Sequence, residues 1–328
     1  MIISVTGGTG FIGSHLVDRM LEQGHEVRAL VRKSSNLRWL DGKNVTLVEG
    51  DMRDASTLEP LLRDADYVYH IAGVVKARDR QGYFDGNVRS TENMLEGTRR
   101  FAPNVRRFLY VSSQTLGGPS PSLDRPVRED DEPNPITTYG ESKVAAERAV
   151  RATTGVLPWT IVRPPAMYGP RDTEIFIYFQ TVARGLESMM GFDDKRVSLL
   201  HSDDLVRGMV LAAEADVSIG ETYYISSEEF YSWPQVGRIA SAAFGKRTLR
   251  IRIPHSVVFT IATFAQGIAA LQRKPATLNL EKARDLTQRY WICDVSKAKR
   301  ELGYRQLVSI EEGITSTARW YLDQGWIK

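Results

Sequence analysis

A single cysteine, Cys293, in 328 residues excludes an internal disulfide and any zinc site built from several cysteines. The five histidines, His15, His25, His70, His201 and His255, are scattered without metal-ligand spacing, so no bound metal is expected. Net charge is also scarce. Lys and Arg number 43 against 40 Asp and Glu, a balance of +3 with no long basic run, which argues against a nucleic-acid partner. Long apolar runs are missing too. The longest, His255 to Leu271, is interrupted by Ser256, Thr260, Thr263 and Gln266, and a bilayer span needs about 20 mostly apolar residues. No basic leader precedes the first apolar residues, which run straight into a glycine motif. With 42% hydrophobic and 25% charged residues, the chain reads as an ordinary globular protein without a transmembrane segment, expected in the cytoplasm.

What is present is alternation. Ile2 to Thr6, Glu26 to Val31, Val45 to Glu49, Tyr67 to Ile71, Phe108 to Ser112 and Thr160 to Val162 are short β-rich runs. Between them, helical spacing predicts helices near Phe11 to Gln23, Thr57 to Arg63, Gly86 to Phe101 and Ser142 to Ala152. Strands alternating with helices over short links predict an α/β fold of the Rossmann type, a doubly wound parallel sheet covered on both faces. The proline- and glycine-rich stretch from Pro164 to Pro170 reads as a loop. Later helices near Ile175 to Arg184, Ser202 to Ala215 and Trp233 to Phe244 suggest a smaller, mixed lobe. The expected division is a dinucleotide-binding domain over 1–165, its sheet completed by later segments, and a substrate lobe over 166–328.

Gly7-Gly8-Thr9-Gly10-Phe11-Ile12-Gly13 follows the first strand and opens the first helix. Glycines there permit a tight turn and let the backbone approach a pyrophosphate, which the free N–H groups of the helix start would hold. The second strand ends Val31-Arg32-Lys33, where an acid would hold the ribose diol of NAD. A guanidinium suits a 2′-phosphate instead, so NADP is favoured over NAD. Gly50-Asp51-Met52-Arg53-Asp54 follows the third strand; Asp51 could accept from an adenine amino group, and Asp54 could cap the next helix.

Tyr139-Gly140-Glu141-Ser142-Lys143 places a phenol and an ammonium four residues apart, on one face of a helix. A free phenol, with a pKa of about 10, handles protons poorly near neutrality, and a nearby ammonium favours its phenolate. Ser112-Ser113, at the carboxyl end of a strand, supplies a hydroxyl for a substrate oxygen.

In this arrangement the chain resembles the extended short-chain dehydrogenase/reductase superfamily. Thr6 to Gly13, Asp51, His70-Ile71-Ala72-Gly73, Asn87, the set Ser113, Tyr139 and Lys143, and Arg163-Pro164 through Tyr168-Gly169-Pro170 match in order, as does the stretch from Tyr290 to Tyr304. The resemblance implies a general acid/base role for Tyr139, a Lys143 that lowers its pKa and binds the nicotinamide ribose, and a substrate-orienting Ser113. It also implies cofactor contacts from Gly7, Gly10, Phe11, Ile12, Gly13, Arg32, Asp51, Met52, Ala72, Gly73, Asn87 and Val111, and nicotinamide contacts from Pro164, Ala166 and Met167.

Within the superfamily, dehydratases carry an Asp-Glu pair where this chain has Gln114 and Thr115. Nucleotide-sugar epimerases often have a tyrosine where it has Gly117, and an arginine four before the histidine where it has Val197. Leu116-Gly117-Gly118-Pro119 and Val31-Arg32 look more like the hydroxysteroid and dihydroflavonol branches. The expected activity is hydride transfer between a nicotinamide and a hydroxyl or ketone of a small, lipophilic substrate. A sugar epimerase is the alternative, and a non-catalytic dinucleotide sensor a second one. The segment from His255 to Leu271, flanked by Arg250, Arg252, Arg273 and Lys274, admits the protein's own core, a second subunit in a homodimer, a lipophilic substrate or a membrane surface. The expectation is a helix that closes over an apolar ligand through Phe264.

Overall fold

The computed structural model describes residues 1–272 and 278–327. In chain order the first half forms β1 (Ile2–Thr6), α1 (Phe11–Glu22), β2 (Glu26–Val31), β3 (Val45–Glu49), α2 (Glu59–Leu62), β4 (Tyr67–His70), α3 (Arg80–Phe84), α4 (Ser90–Phe101), β5 (Arg107–Val111), α5 (Thr138–Arg151) and β6 (Trp159–Arg163). There follow β7 (Ala166–Tyr168), α6 (Phe176–Ala183), β8 (Leu186–Met190), β9 (Arg196–Val197), β10 (Leu199–His201), α7 (Ser202–Glu214), β11 (Glu221–Tyr224) and α8 (Trp233–Ala243). The chain closes with β12 (Leu249–Ile253), α9 (His255–Leu271), α10 (Leu280–Thr287), β13 (Tyr290–Trp291), α11 (Ser296–Leu302) and α12 (Ile310–Asp323).

Seven strands form one parallel sheet in the order β3-β2-β1-β4-β5-β6-β11. Strand order reverses beside β1, which has β2 on one side and β4 on the other, so a crevice opens at the carboxyl ends between β1 and β4. β11, from the second half of the chain, completes the sheet against β6, with Thr222 opposite Ile161.

The period of two along each strand sorts the core into two layers. Ile3, Val5, Tyr69, Leu109, Val111 and Val162 pack with α1 and α7 on one face. Val68, Phe108, Tyr110, Trp159 and Ile161 pack with α2, α4 and α5 on the other. Burial of each such side chain stabilises the fold by roughly 1.5–3 kcal/mol. A third core joins β7, α6, α8 and α12 through Tyr168, Phe179, Val236, Ile314 and Tyr321.

Two local expectations shift. The helix expected from Ser142 starts at Thr138, because the Thr137 hydroxyl caps it by accepting from the Gly140 N–H at 3.1 Å. The stretch from Pro164 to Pro170 is not all loop: Ala166–Tyr168 forms β7, parallel to β10. Three residues beside prolines carry no readable strand period, and only the partner distant in sequence makes them a strand.

The segment from His255 to Leu271 is a helix, but not a buried one. Val258 and Ala262 pack against Ala283 of α10, with Met190 and Ile253 nearby, while Phe264 stays 70% exposed. Phe264 therefore lines no closed cavity, contrary to the expected closure over a ligand. Arg273 and Lys274 lie outside the described residues. Among the described residues no helix is long and apolar enough to cross a membrane.

Candidate active site

The crevice between β1 and β4 is lined on one side by the glycine turn. Gly7 has φ +77°, in the left-handed region, and a side chain there would press on the Ala72 backbone N–H at 2.9 Å. A Cβ on Gly13 would overlap the Gly7 carbonyl oxygen. Gly10, which caps the start of α1, brings no side chain to it, so the first-turn N–H groups of Phe11, Ile12 and Gly13 face the crevice end without a side-chain acceptor. This cradle fits a pyrophosphate. Gly13→Ala is accordingly expected to weaken dinucleotide binding by at least about tenfold and to cost about 1–3 kcal/mol of stability, the penalty of overpacking. Cofactor titration and thermal melting read the two effects separately; unchanged affinity would remove the cradle from the argument.

The opposite wall is the turn after β4. Ala72 N–H donates to the Thr6 hydroxyl at 3.2 Å. A Cβ on Gly73 would lie 3.1 Å from Asn87 Oδ1 and 3.4 Å from Lys143 Nζ, so only glycine leaves this wall open. Asn87, in the π-helical turn Asp85–Arg89, is buried and fully engaged. It accepts from Val74 N–H at 2.7 Å and donates to Val74 O at 3.0 Å and Ser142 Oγ at 2.9 Å. Its visible work is to tie the β4 turn to α5, which the residue type alone does not reveal.

Tyr139 stands in the first turn of α5 and Lys143 one turn on. The protein packed around Tyr139 pushes its phenol up to about 12; the Ser113 hydroxyl pulls it down and the neighbouring Tyr83 pushes it up. The Tyr83 ring stands 6.3 Å from that of Tyr139, tilted by 56°. Ser113 follows β5 and accepts from Thr115 N–H at 3.2 Å and Thr115 Oγ1 at 2.9 Å.

Lys143 departs from expectation. Its Nζ sits 6.0 Å from the centre of the Tyr139 ring and donates instead to Tyr110 Oη at 3.1 Å and to Val111 O at 2.9 Å. Burial lowers its pKa to about 8, against the opposing pull of Glu147. Its effect on Tyr139 is thus not direct in this structure, because two oxygens of β5 are nearer acceptors. An ammonium has three donors, so one remains for a ligand hydroxyl in the crevice.

Two residues packed about Lys143 and the end of β6 escaped the sequence reading. Tyr110, on the α5 side of β5, holds Lys143, and only strand parity could have pointed to it. Glu147, one turn beyond Lys143, grips Arg163 at the end of β6 through Nε at 2.9 Å and Nη2 at 2.8 Å, both side chains 4% exposed. His70 is a core residue: burial lowers its pKa to about 3, and its ring bonds Thr6 Oγ1 at 2.8 Å and Thr91 Oγ1 at 3.0 Å.

The other residues expected to contact the cofactor follow the carboxyl ends of β2, β3 and β6. Arg32 follows β2, exposed, its N–H held by Ser35 Oγ at 2.9 Å. Asp51 follows β3 but its carboxylate is taken by Arg53 at 2.6 Å, a bond that lowers its pKa to about 2. Met52 packs partly buried on the α4 side, and its carbonyl accepts from Asn93 at 2.8 Å. Asp54 accepts from Ser56 N–H at 3.0 Å, capping the turn before α2. Pro164 O accepts from Gln114 N–H at 2.8 Å, which joins the β6 end to the Ser113 turn, and Ala166 and Met167 form β7.

A glycine cradle at the switch point of a doubly wound sheet defines a Rossmann-type dinucleotide-binding protein. The chain belongs to the NAD dependent epimerase/dehydratase family, whose profile matches residues 3–226. It is similar to a ceramide reductase of Caulobacter vibrioides, 30% identical over 99% of this chain and 96% of that one. A 3 beta-hydroxysteroid dehydrogenase/Delta 5-->4-isomerase of Mycobacterium tuberculosis is 29% identical over 98% and 90%. The solved UDP-glucose 4-epimerase of Thermotoga maritima superposes with a TM-score of 0.81 over 99% of both chains at 24% identity, a likeness of fold.

Proposed function

We propose that the protein is an NAD(P)-dependent oxidoreductase that moves a hydride between nicotinamide and a hydroxyl or ketone of a lipophilic substrate. The observation that carries this reading is the convergence of Ser113, Tyr139 and Lys143 at the carboxyl ends of β5 and the start of α5, beside the glycine cradle. A bound nicotinamide would supply the hydride. Tyr139 holds the proton at its hydroxyl oxygen, which stays protonated at neutral pH and is therefore poised to give it to a substrate oxygen. Ser113 donates to that same oxygen and orients it. Lys143, anchored on Tyr110 and Val111, keeps its third N–H for the cofactor ribose. Pro164, Ala166 and Met167 form the wall beyond the Ser113 turn.

The names of the two relatives, one acting on ceramide and one on steroids, support an apolar substrate. So does the position where an arginine would be expected to hold a nucleotide diphosphate, where Val197 is buried and the neighbouring Arg196 is paired with Asp194 at 2.9 Å. The test is to follow NADPH oxidation with a panel of steroid and long-chain ketones, beside an assay for UDP-sugar interconversion. Turnover of UDP-sugars, with none of any lipophilic ketone or alcohol, overturns the reading.

Cofactor choice follows from Arg32. No acid closes β2, and an exposed guanidinium there can meet a 2′-phosphate. NADPH is expected to bind more tightly than NADH. Arg32→Ala should erase most of the difference, since a charged hydrogen bond contributes about 1.5–3 kcal/mol. Titration of both cofactors into both proteins measures it, and equal affinities in the parent protein refute the preference.

A further inference from the structure

α9 presents an apolar stripe to solvent. Val257, Ile261, Phe264, Ile268 and Leu271 follow one another at steps of four and three, one face of a helix, and they are 42%, 51%, 70%, 57% and 87% exposed. The opposite face, with Val258 and Ala262, is already packed on α10. The strand before it extends the patch. Leu249 and Ile251 are exposed and share a strand face with Ile253, which packs beside Val258.

The chain segment that carries this stripe is one-sided in charge. Between Glu229 and Glu281 the chain holds no Asp or Glu and seven Lys and Arg, in a protein whose whole net charge is +3. The remainder of the molecule is therefore net acidic. Arg250 is engaged by buried Glu187 at 3.1 Å, but Lys246, Arg247 and Arg252 are exposed. Asp193, 3.7 Å from His255 at the start of α9, is also matched by Lys195 at 3.8 Å, and the adjoining Asp194 by Arg196 at 2.9 Å.

We propose that α9 and β12 dock on an anionic lipid bilayer, the helix lying in the interface with its stripe inserted. An apolar stripe on a segment whose own exposed charges, Lys246, Arg247 and Arg252, are all basic fits anionic headgroups over an acyl layer. A second copy of the chain fits worse. A two-fold contact sets the same patch against itself and so brings these basic residues against their own copies. The helix is about 25 Å long and would lie along the surface. Docking there would also set lipid beside the catalytic helix. α10, which α9 packs on, holds the start of α5 through Glu281, whose carboxylate accepts from Thr138 N–H at 3.1 Å and Thr138 Oγ1 at 2.6 Å, next to Tyr139. The proposal concerns the surface and does not rest on the oxidoreductase reading.

The test is co-sedimentation of the full chain with phosphatidylcholine vesicles, with and without phosphatidylglycerol. The native protein should pellet with the anionic vesicles, less so as salt rises, and stay in solution with pure phosphatidylcholine. Ile261→Ser, Phe264→Ser and Ile268→Ser together should weaken binding by about 100-fold or more, with Phe264→Ser alone in between. Lys246→Gln with Arg247→Gln should weaken it by roughly 30-fold. Circular dichroism and NADPH titration confirm that each variant is folded, and Phe264→Ser keeps the test open should the triple variant fail to fold. Native protein that stays in solution with anionic vesicles overturns the proposal, as do serine variants that pellet undiminished. A dimer in solution that the serine variants dissociate overturns it in favour of a second copy.

Discussion

Tyr139→Phe is expected to depress turnover on the true substrate by about 10²-fold or more while NADPH binds as before. The substitution keeps the ring, and with it the packing against Tyr83, so the helix start and the crevice should persist. What it removes is the only proton that the proposed reaction draws from this position. With the phenol pushed up to about 12, Tyr139 is protonated across the physiological range and suited to ketone reduction. Lys143, lowered to about 8 by burial, loses its charge as pH rises past that value. Reduction should therefore hold near neutrality and decline above about pH 8, where the favourable charge on Lys143 is withdrawn while Tyr139 still keeps its proton. Steady-state rates of parent and variant across pH, with cofactor titrations alongside, check both statements. Near-normal turnover of the variant would take Tyr139 out of the chemistry.

Glu147→Gln is expected to destabilise the fold by about 3–5 kcal/mol, because it leaves the Arg163 guanidinium buried without its counter-charge. The pair is bidentate and closed to water, and each partner sets the other's protonation. Burial works against the Glu147 carboxylate, but the Arg163 bonds outweigh it and hold its pKa below the ordinary value. Burial likewise works against charge on Arg163, and pairing with Glu147 more than offsets it. Since the folded carboxylate is the stronger acid, its share of stability is present above the unfolded pKa, near 4.5, and is lost as pH falls below it. Urea unfolding of parent and variant at neutral and acid pH should show a gap that narrows on acidification. Replacing both partners, Glu147→Met with Arg163→Met, should recover much of the loss, since no unpaired charge remains. A Glu147→Gln protein as stable as its parent would show that the pair contributes little.

The residues singled out in the sequence differ in how far their surroundings could be read from it. The glycine cradle was legible because Gly7, Gly10 and Gly13 answer to a steric demand between near neighbours, the turn and the helix start; the wall at Ala72 was not. Tyr139 and Lys143 were legible as a pair because four residues make one helical turn. The bond from Lys143 to Tyr110 was not, since it joins α5 to a strand 33 positions earlier. Asn87 shows the same limit. Its three hydrogen bonds to Val74 and Ser142 depend on how β4, the π-helical turn and α5 come together.

By itself, then, the order of residues determined the alternation of strands and helices, the glycine turn and the pairing of Tyr139 with Lys143 on one helix face, because each rests on contacts within a few residues along the chain. Tertiary structure alone decided the rest. It made Ala166–Tyr168 a strand by bringing up β10, and it brought β11 back to complete the sheet. It buried Glu147 with Arg163, and it turned one apolar face of α9 inward while leaving the other in water. Burial and long-range pairing are sums over neighbours that are distant in sequence, and a periodic pattern states that a face is apolar without stating what will cover it.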